Sequence, residues 1–404
     1  MYRKKKILYI HHGKGLGGAP LSLLYLIENL DKEKYHPIVL FLQGSQVVDL
    51  YKSKGIEVYG PLNLYDFSHT KICWYKWYHP HLFFKVLKDT FKTIYYVANY
   101  WFEKIQPDLV HLNTSSLIAW AKVAYKKNIP VIFHVREPLA KGYLGFRKKI
   151  IKKYVDKYSS AIVPICKNDS LPWKTNSKVN IIYNAVDSKK FNRNILMNNF
   201  LLKYNLSTQT PKILFLGGLS KEKGTLIIFE IFKRLLKLRS DVQLLVAGDF
   251  NLQICSKFNL KNHFPSQVYK KRVNKILQSI KKNVLFLGAI NNIEEVMAAC
   301  DVIVFPATVG HFARPIIEAG FMAKPVVASK LAPLNELIID GKTGFLIEPQ
   351  NYKMWVEKLN MLLINEGLNK KIGENGYQYC IKNFDIKDQI KKIQNIYKKR
   401  ELIL

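Results

Sequence analysis

Gly310-His311-Phe312-Ala313-Arg314-Pro315-Ile316-Ile317-Glu318-Ala319-Gly320-Phe321-Met322-Ala323-Lys324-Pro325-Val326-Val327-Ala328 reads as a loop, a short apolar helix bearing one acid, and a buried strand. Pro315 suits the first helical turn, where its missing N–H costs nothing. The free N–H groups of such a turn form an anion site, and Arg314 adds a cation of forked geometry. Glu318 follows one turn later, placed to accept hydrogen bonds from a diol such as a ribose. The pattern fits a nucleoside diphosphate. An ordinary strand–helix–strand unit with a chance arginine is the alternative.

Outward from this stretch, short apolar runs alternate with helical ones, the signature of parallel sheets wrapped by helices. In the first half, 7–11, 37–42, 55–59, 108–112, 130–135, 160–164 and 179–183 read as strands, and 22–30 as a helix. The pattern restarts with strands at 212–216, 242–247, 284–287 and 302–305. Helices are predicted at 222–238, 267–281, 293–300, 351–366, 369–382 and 386–401. The predicted fold is α/β, with two Rossmann-like doubly wound domains facing across a cleft. The expected division is 1–190, a linker 191–210, a second domain 211–385, and a helix 386–404 packing back on the first domain. Ligands of such sheets bind beyond the carboxyl ends of the strands.

Phe215-Leu216-Gly217-Gly218-Leu219-Ser220-Lys221-Glu222-Lys223-Gly224 follows the first strand of the second half and opens a helix. Gly217 and Gly218 allow close backbone approach to a phosphate, and Lys223 supplies charge. Plain turn chemistry is equally compatible with the glycines. This loop and the 310–328 stretch together resemble the signature of retaining family 4 glycosyltransferases, which have the GT-B fold. Gly217, Leu219, Ser220, Glu222, Lys223 and Gly224 match one motif. Phe312, Arg314, Pro315, Ile316, Ile317, Glu318 and Ala319 match the other. Two positions depart: Gly310 stands where the family has its first glutamate, and Gly218 where it has an arginine.

The resemblance implies roles for particular residues. Glu318 would hold the ribose, Lys223 and Arg314 the diphosphate, and Gly288 would border the base through its backbone. Phe312 and Pro315 would line the same nucleotide site. Gly17 and Gly18, opening the first helix, would touch donor phosphates and acceptor. His134, at the end of a central strand, would contact the transferred sugar; unaided, a lone histidine there is as readily structural. Arg136 and Glu137 pair with each other or bind acceptor. Asn113, Thr114 and Ser115 offer polar groups to the site or cap the next helix.

The charge balance is 63 basic against 30 acidic residues, +33 overall. Such a field draws a protein to polyanions, nucleic acid or an anionic membrane surface. Lys, Ile, Asn and Tyr are abundant together, so AT-rich coding accounts for part of the excess. No nucleic-acid-binding motif is present, and no nucleic acid partner is expected. Residues 72–102 interleave aromatics with lysines. Over 72–85 this suits a membrane interface, and over 86–102 a core helix with a solvated lysine face. The five cysteines are scattered, with no metal spacing. The basic N-terminus lacks a long apolar run, so no signal peptide is expected.

The sequence thus predicts a cytoplasmic retaining glycosyltransferase, peripheral on the inner face of the cell membrane. It would move a sugar from a nucleoside-diphosphate sugar to a surface-polysaccharide or lipid-linked glycan. No cofactor or metal is expected, leaving-group charge being met by Lys223, Arg314 and helix N-termini. Two alternatives remain: a non-catalytic sugar-nucleotide-binding partner subunit, and a nucleic-acid-binding protein.

Overall fold

The computed structural model describes residues 3–401 except 14, 16, 45, 68–79, 140–142, 249–259 and 291. The chain divides into two compact units, Met1–Ala185 with Ile386–Leu404, and Val186–Asp385.

The first unit holds β1 (Lys5–His11), β2 (Tyr35–Phe41), β3 (Glu57–Tyr59), β4 (Leu109–Leu112), β5 (Val131–Val135) and β6 (Ala161–Pro164). They pair in parallel in the order β3-β2-β1-β4-β5-β6. Central strands are buried on both faces, so they read as continuous apolar runs. The helix Ile386–Glu401 completes this unit's core with Ile386, Ile390, Ile393, Ile396 and Tyr397. Their spacing of three and four residues gives one apolar stripe.

The second unit holds β7 (Lys212–Phe215), β8 (Gln243–Ala247), β9 (Val284–Gly288), β10 (Val302–Phe305), β11 (Val326–Ser329) and β12 (Phe345–Ile347). Their order, β12-β11-β10-β7-β8-β9, repeats the topology of the first sheet. Both are doubly wound Rossmann-like sheets. The strand order reverses between β1 and β4 and between β7 and β10. Those switch points are where such sheets open a ligand crevice.

Three expectations need correction. Residues 179–183 run beside β6 with a single bridge, Ile162 to Val179. Ile162 N–H donates to Lys178, Asn180 to Ile162 and Ile182 to Pro164. Pro164 has no N–H to continue the ladder, so no strand forms. Secondly, the strand β12 stands at Phe345–Ile347, where the reading of the sequence has none. Thirdly, the expected linker 191–210 carries the helix Asn198–Lys203 and buries Phe191, Phe200 and Leu201 within the second unit.

Candidate functional site

In the second unit, the loop after β7 and the loop after β10 meet at the switch point. Lys223 Nζ donates to His311 Nε2 at 2.8 Å, and His311 Nδ1 lies 2.9 Å from the Val309 carbonyl. Lysine can only donate, so His311 accepts at Nε2 and carries its proton at Nδ1. Thr308 N–H donates to Glu222 O (2.9 Å), which fastens the loops a second time. Burial, and then Lys223, push the His311 pKa down to about 4. Burial also lowers Lys223 from the ordinary lysine range. Its ammonium stands 5.5 Å from the Phe305 ring centroid.

The helix Arg314–Phe321 begins where expected, with Pro315 in its first turn and Ala313 extended ahead of it. Phe312 is half-buried beside it. Arg314 and Glu318 do not stand apart as two separate ligand contacts. Arg314 Nε donates to Glu318 Oε1 at 2.6 Å. One helical turn puts i and i+4 side by side, which favours this pair before any ligand arrives. Glu318 is buried, and desolvation raises its pKa although the Arg314 cation opposes the rise. A second pair, Lys190 and Glu294 at 3.6 Å, also acts on its charge.

The glycines have individual reasons. A Cβ on Gly217 would fall 2.0 Å from the Phe215 ring. Gly218 adopts φ 54°, and its N–H donates to Ala247 O at 3.0 Å. That N–H is used between strand ends and is not held ready for a phosphate. Gly248 N–H likewise donates to Gly288 O (2.8 Å), joining the ends of β8 and β9. Gly310 stands at the departure from the family pattern. A Cβ there would lie 1.9 Å from the Ala332 carbonyl oxygen. No side chain fits, so the glutamate that the family pattern has at this place is sterically excluded.

In the first unit, the ends of β1, β4 and β5 converge. Arg136 Nε donates to Asn113 Oδ1 (2.5 Å) and Nη1 to Asn184 Oδ1 (2.6 Å). Nη2 lies 3.4 Å from His134 Nδ1. Asn113 Nδ2 donates to His11 Nδ1 (2.9 Å). His134 Nδ1 also meets His111 Nε2 (3.0 Å), whose Nδ1 meets Tyr397 Oη (2.7 Å), which meets Tyr9 Oη (3.0 Å). Arg136, half-buried, therefore bonds Asn113 and Asn184 and does not pair with Glu137. The missed signal is strand alternation: positions 9 and 11, 111 and 113, and 134 and 136 share one sheet face, whereas 136 and 137 do not. Gly17 and Gly18 open the helix Gly18–Glu28, and a Cβ on either would meet nothing within 4 Å.

Glu137 lies in a different cluster. It accepts from Thr114 Oγ1 (3.0 Å), and Ser116 Oγ donates to Asp66. Burial raises the Glu137 pKa. Asn113 and Thr114 thus bind neighbouring strand ends, and neither caps the helix Ile118–Lys126.

The segment 86–102 corrects the core-helix reading. Val86, Thr93, Ala98 and Phe102 take the buried face. Phe84, Phe91, Tyr95, Tyr96 and Tyr100 are each more than half exposed. Lys85, Lys88 and Lys92 are exposed with them. A π-helical turn over Thr93–Val97 shifts the phase of the helical face here. Trp74, Trp77 and Tyr78 lie outside the described residues. The basic run 147–153 is less open than its sequence: Arg147 is buried against Phe67, and Lys152 pairs with Asp156 at 2.6 Å. Among the described residues, no helix is long and apolar enough to cross a membrane.

Residues 199–379, within the second unit, match the family described as Glycosyl transferases group 1. Both signature stretches fall inside the match. An uncharacterized glycosyltransferase, MJ1178, of Methanocaldococcus jannaschii is 26% identical over 249 residues, 61% of each chain. A lipopolysaccharide 1,2-N-acetylglucosaminetransferase of Salmonella typhimurium is 27% identical over 192 residues, 46% of this chain and 48% of the relative. The chain thus spans about half to three-fifths of these relatives' length. The crystal structure of Anabaena Alr3699/HepE in complex with UDP superposes with a TM-score of 0.78 at 19% identity, covering 98% of this chain and 100% of that one. The fold is therefore GT-B.

Proposed function

We propose that this chain, whose second unit matches the group 1 glycosyltransferases, moves a sugar from a nucleoside-diphosphate sugar to a surface-polysaccharide or lipid-linked glycan, with retention of configuration. The observation that carries the reading is the Lys223–His311 contact at the switch point of the second sheet. It brings the two most specific sequence motifs onto one crevice. Lys223 and the N–H groups at the start of the helix Arg314–Phe321 meet the diphosphate, with Arg314 beside them. Glu318 keeps Oε2 for the ribose while Oε1 holds Arg314. His134 is assigned to the transferred sugar. Charge on the departing diphosphate is met by these cations and helix N–H groups, without a metal. A relative named for lipopolysaccharide supports a glycan acceptor. A structural neighbour with UDP supports a nucleotide donor. The exposed aromatic–lysine face of 84–100 supports a peripheral position on an anionic membrane.

The test is calorimetric titration with nucleotide sugars, followed by assay of released nucleoside diphosphate with a lipid-linked glycan. Binding and release support the reading, and failure to bind any nucleotide sugar removes it. A second reading is favoured by Gly310, where no acid fits: a donor-binding partner subunit. Tight donor binding with no transfer to any acceptor would select it.

A further inference from the structure

A guanidinium can only donate hydrogen bonds, and a neutral imidazole has one donor and one acceptor nitrogen. Those two facts orient the whole buried chain of the first unit. Arg136 Nε points at Asn113 from 2.5 Å, so the Asn113 oxygen faces it and the amide NH2 faces away. That NH2 lies 2.9 Å from His11 Nδ1, which must accept. The proton of His11 is therefore on Nε2.

The second branch runs the same way. Arg136 Nη2 faces His134 Nδ1, so that nitrogen accepts, and His111 Nε2 donates to it. His111 Nδ1 then accepts from Tyr397, and Tyr397 accepts from Tyr9. The opposite polarity would place an N–H against the Arg136 cation. It would also strand the Tyr9 hydroxyl proton, since Tyr9 is buried and bonds only Tyr397 among the described residues. The proton of His134 is therefore also on Nε2.

We propose that Arg136 is a positioning residue whose guanidinium fixes His11 and His134 as neutral Nε2–H donors, each aimed at an oxygen acceptor of the substrate. Both Nε2 atoms are buried and lack a partner among the described residues. Leaving such a donor unpaired costs free energy, which a ligand oxygen or a water recovers. His11 Nε2 faces the backbone of Gly13, where a Cβ would come within 2.9 Å. Glycine there keeps a side chain from pressing on that donor. His134 lines a cavity of about 30 Å³ with Ser22, whose hydroxyl is also unpartnered among the described residues. For His134 the inference rests on its assignment to the transferred sugar, and it defines the contact: a donor to a hydroxyl oxygen, not a base. Burial, with the Arg136 cation, keeps both imidazoles unprotonated at neutral pH.

The test is a two-bond proton–nitrogen correlation spectrum of the full chain, labelled at histidine nitrogens and free of ligand at pH 7. His11→Gln and His134→Gln assign the peaks. Both residues should show the Nε2–H tautomer. An Nδ1–H tautomer or an imidazolium at either residue overturns the inference. Arg136→Met, which removes the donors and keeps the length, should leave both histidines as tautomer mixtures. Unchanged tautomers in that variant, if folded, also overturn it. Tyr397→Phe breaks the far end only, so His11 and His134 should stay Nε2–H; a switch there would show that Tyr397, not Arg136, sets the polarity. Because the spectra need no donor, this result stands apart from sugar transfer, which the turnover assay judges separately.

Discussion

Lys223 and His311, 88 positions apart, share a 2.8 Å hydrogen bond in which the lysine donates and the histidine is neutral. Its meaning depends on Gly310. With no room for a side chain at 310, His311 is the neighbouring polar group of that loop, and it holds the lysine ammonium in place. The ammonium keeps two further N–H groups. An anion approaching the helix start at Arg314 would find a cation already oriented by a neutral partner, one that does not cancel its charge.

Lys223→Ala should therefore weaken binding of a nucleoside diphosphate while sparing the nucleoside. Losing a hydrogen bond to a charged group costs about 1.5–3 kcal/mol, roughly tenfold to a hundredfold in affinity. His311→Gln should give a smaller loss in the same direction. Calorimetry in which both ligands weaken equally would place Lys223 away from the phosphates.

Glu318 calls for Glu318→Gln rather than alanine. Alanine would leave the mostly buried Arg314 without its carboxylate, and breaking a buried pair in this way costs about 3–5 kcal/mol. Glutamine keeps an oxygen for Arg314 Nε and removes only the charge. The variant should fold, with a midpoint in urea close to wild type. It should lose affinity for a ribonucleotide more than for its 2′,3′-dideoxy counterpart. Equal loss for the two would exclude a ribose contact.

The sheets were legible because parallel strands bury both faces and leave unbroken apolar runs, as in Val131–Val135 and Val302–Phe305. Pro164 shows where that logic ends: 179–183 has strand composition and lies beside β6, yet its neighbour cannot donate. The 84–102 aromatics show a second limit. Aromatic residues at helical spacing usually mean core, but burial depends on the facing element, and here the buried stripe belongs to Val86, Thr93, Ala98 and Phe102. Long-range partners were the least visible. Nothing local to Tyr397 or to His311 announces His111 or Lys223, since only the fold brings them together.

Acid should destabilise the chain in a defined window. His311, lowered to about 4, and His111, lowered to about 3, stay neutral when folded. Unfolded, each takes up a proton as pH falls through about 6.5. The unfolded state then binds more protons, so stability drops with falling pH by up to about 1.4 kcal/mol per unit per histidine. Burial raises Glu137 and Glu318, which act with the opposite sign: their stabilising contribution is lost as pH rises above the ordinary carboxylate range. The check is therefore a difference. Between pH 7 and 5.5, the urea midpoint of His311→Asn should fall less than that of wild type. Parallel declines would mean that His311 is already protonated, or equally accessible, in the folded chain.

The exposed face of the helices over 84–100 should bind anionic vesicles by two separable terms. Phe84, Phe91, Tyr95, Tyr96 and Tyr100 present apolar rings with polar tips, the composition that settles at a headgroup boundary. Lys85, Lys88 and Lys92 supply charge beside them, each contributing about 1 kcal/mol near an anionic surface. Added salt screens the second term and leaves the first. Co-sedimentation with anionic vesicles should thus fall steeply with salt, and Lys85, Lys88 and Lys92 changed to Gln should mimic high salt. Phe84→Ser with Phe91→Ser should lower the salt-resistant remainder. Charge alone, at +33 overall, would attract vesicles without regard to this face. If the lysine and phenylalanine variants bind as wild type does, general basicity is the cause and these helices are not the contact.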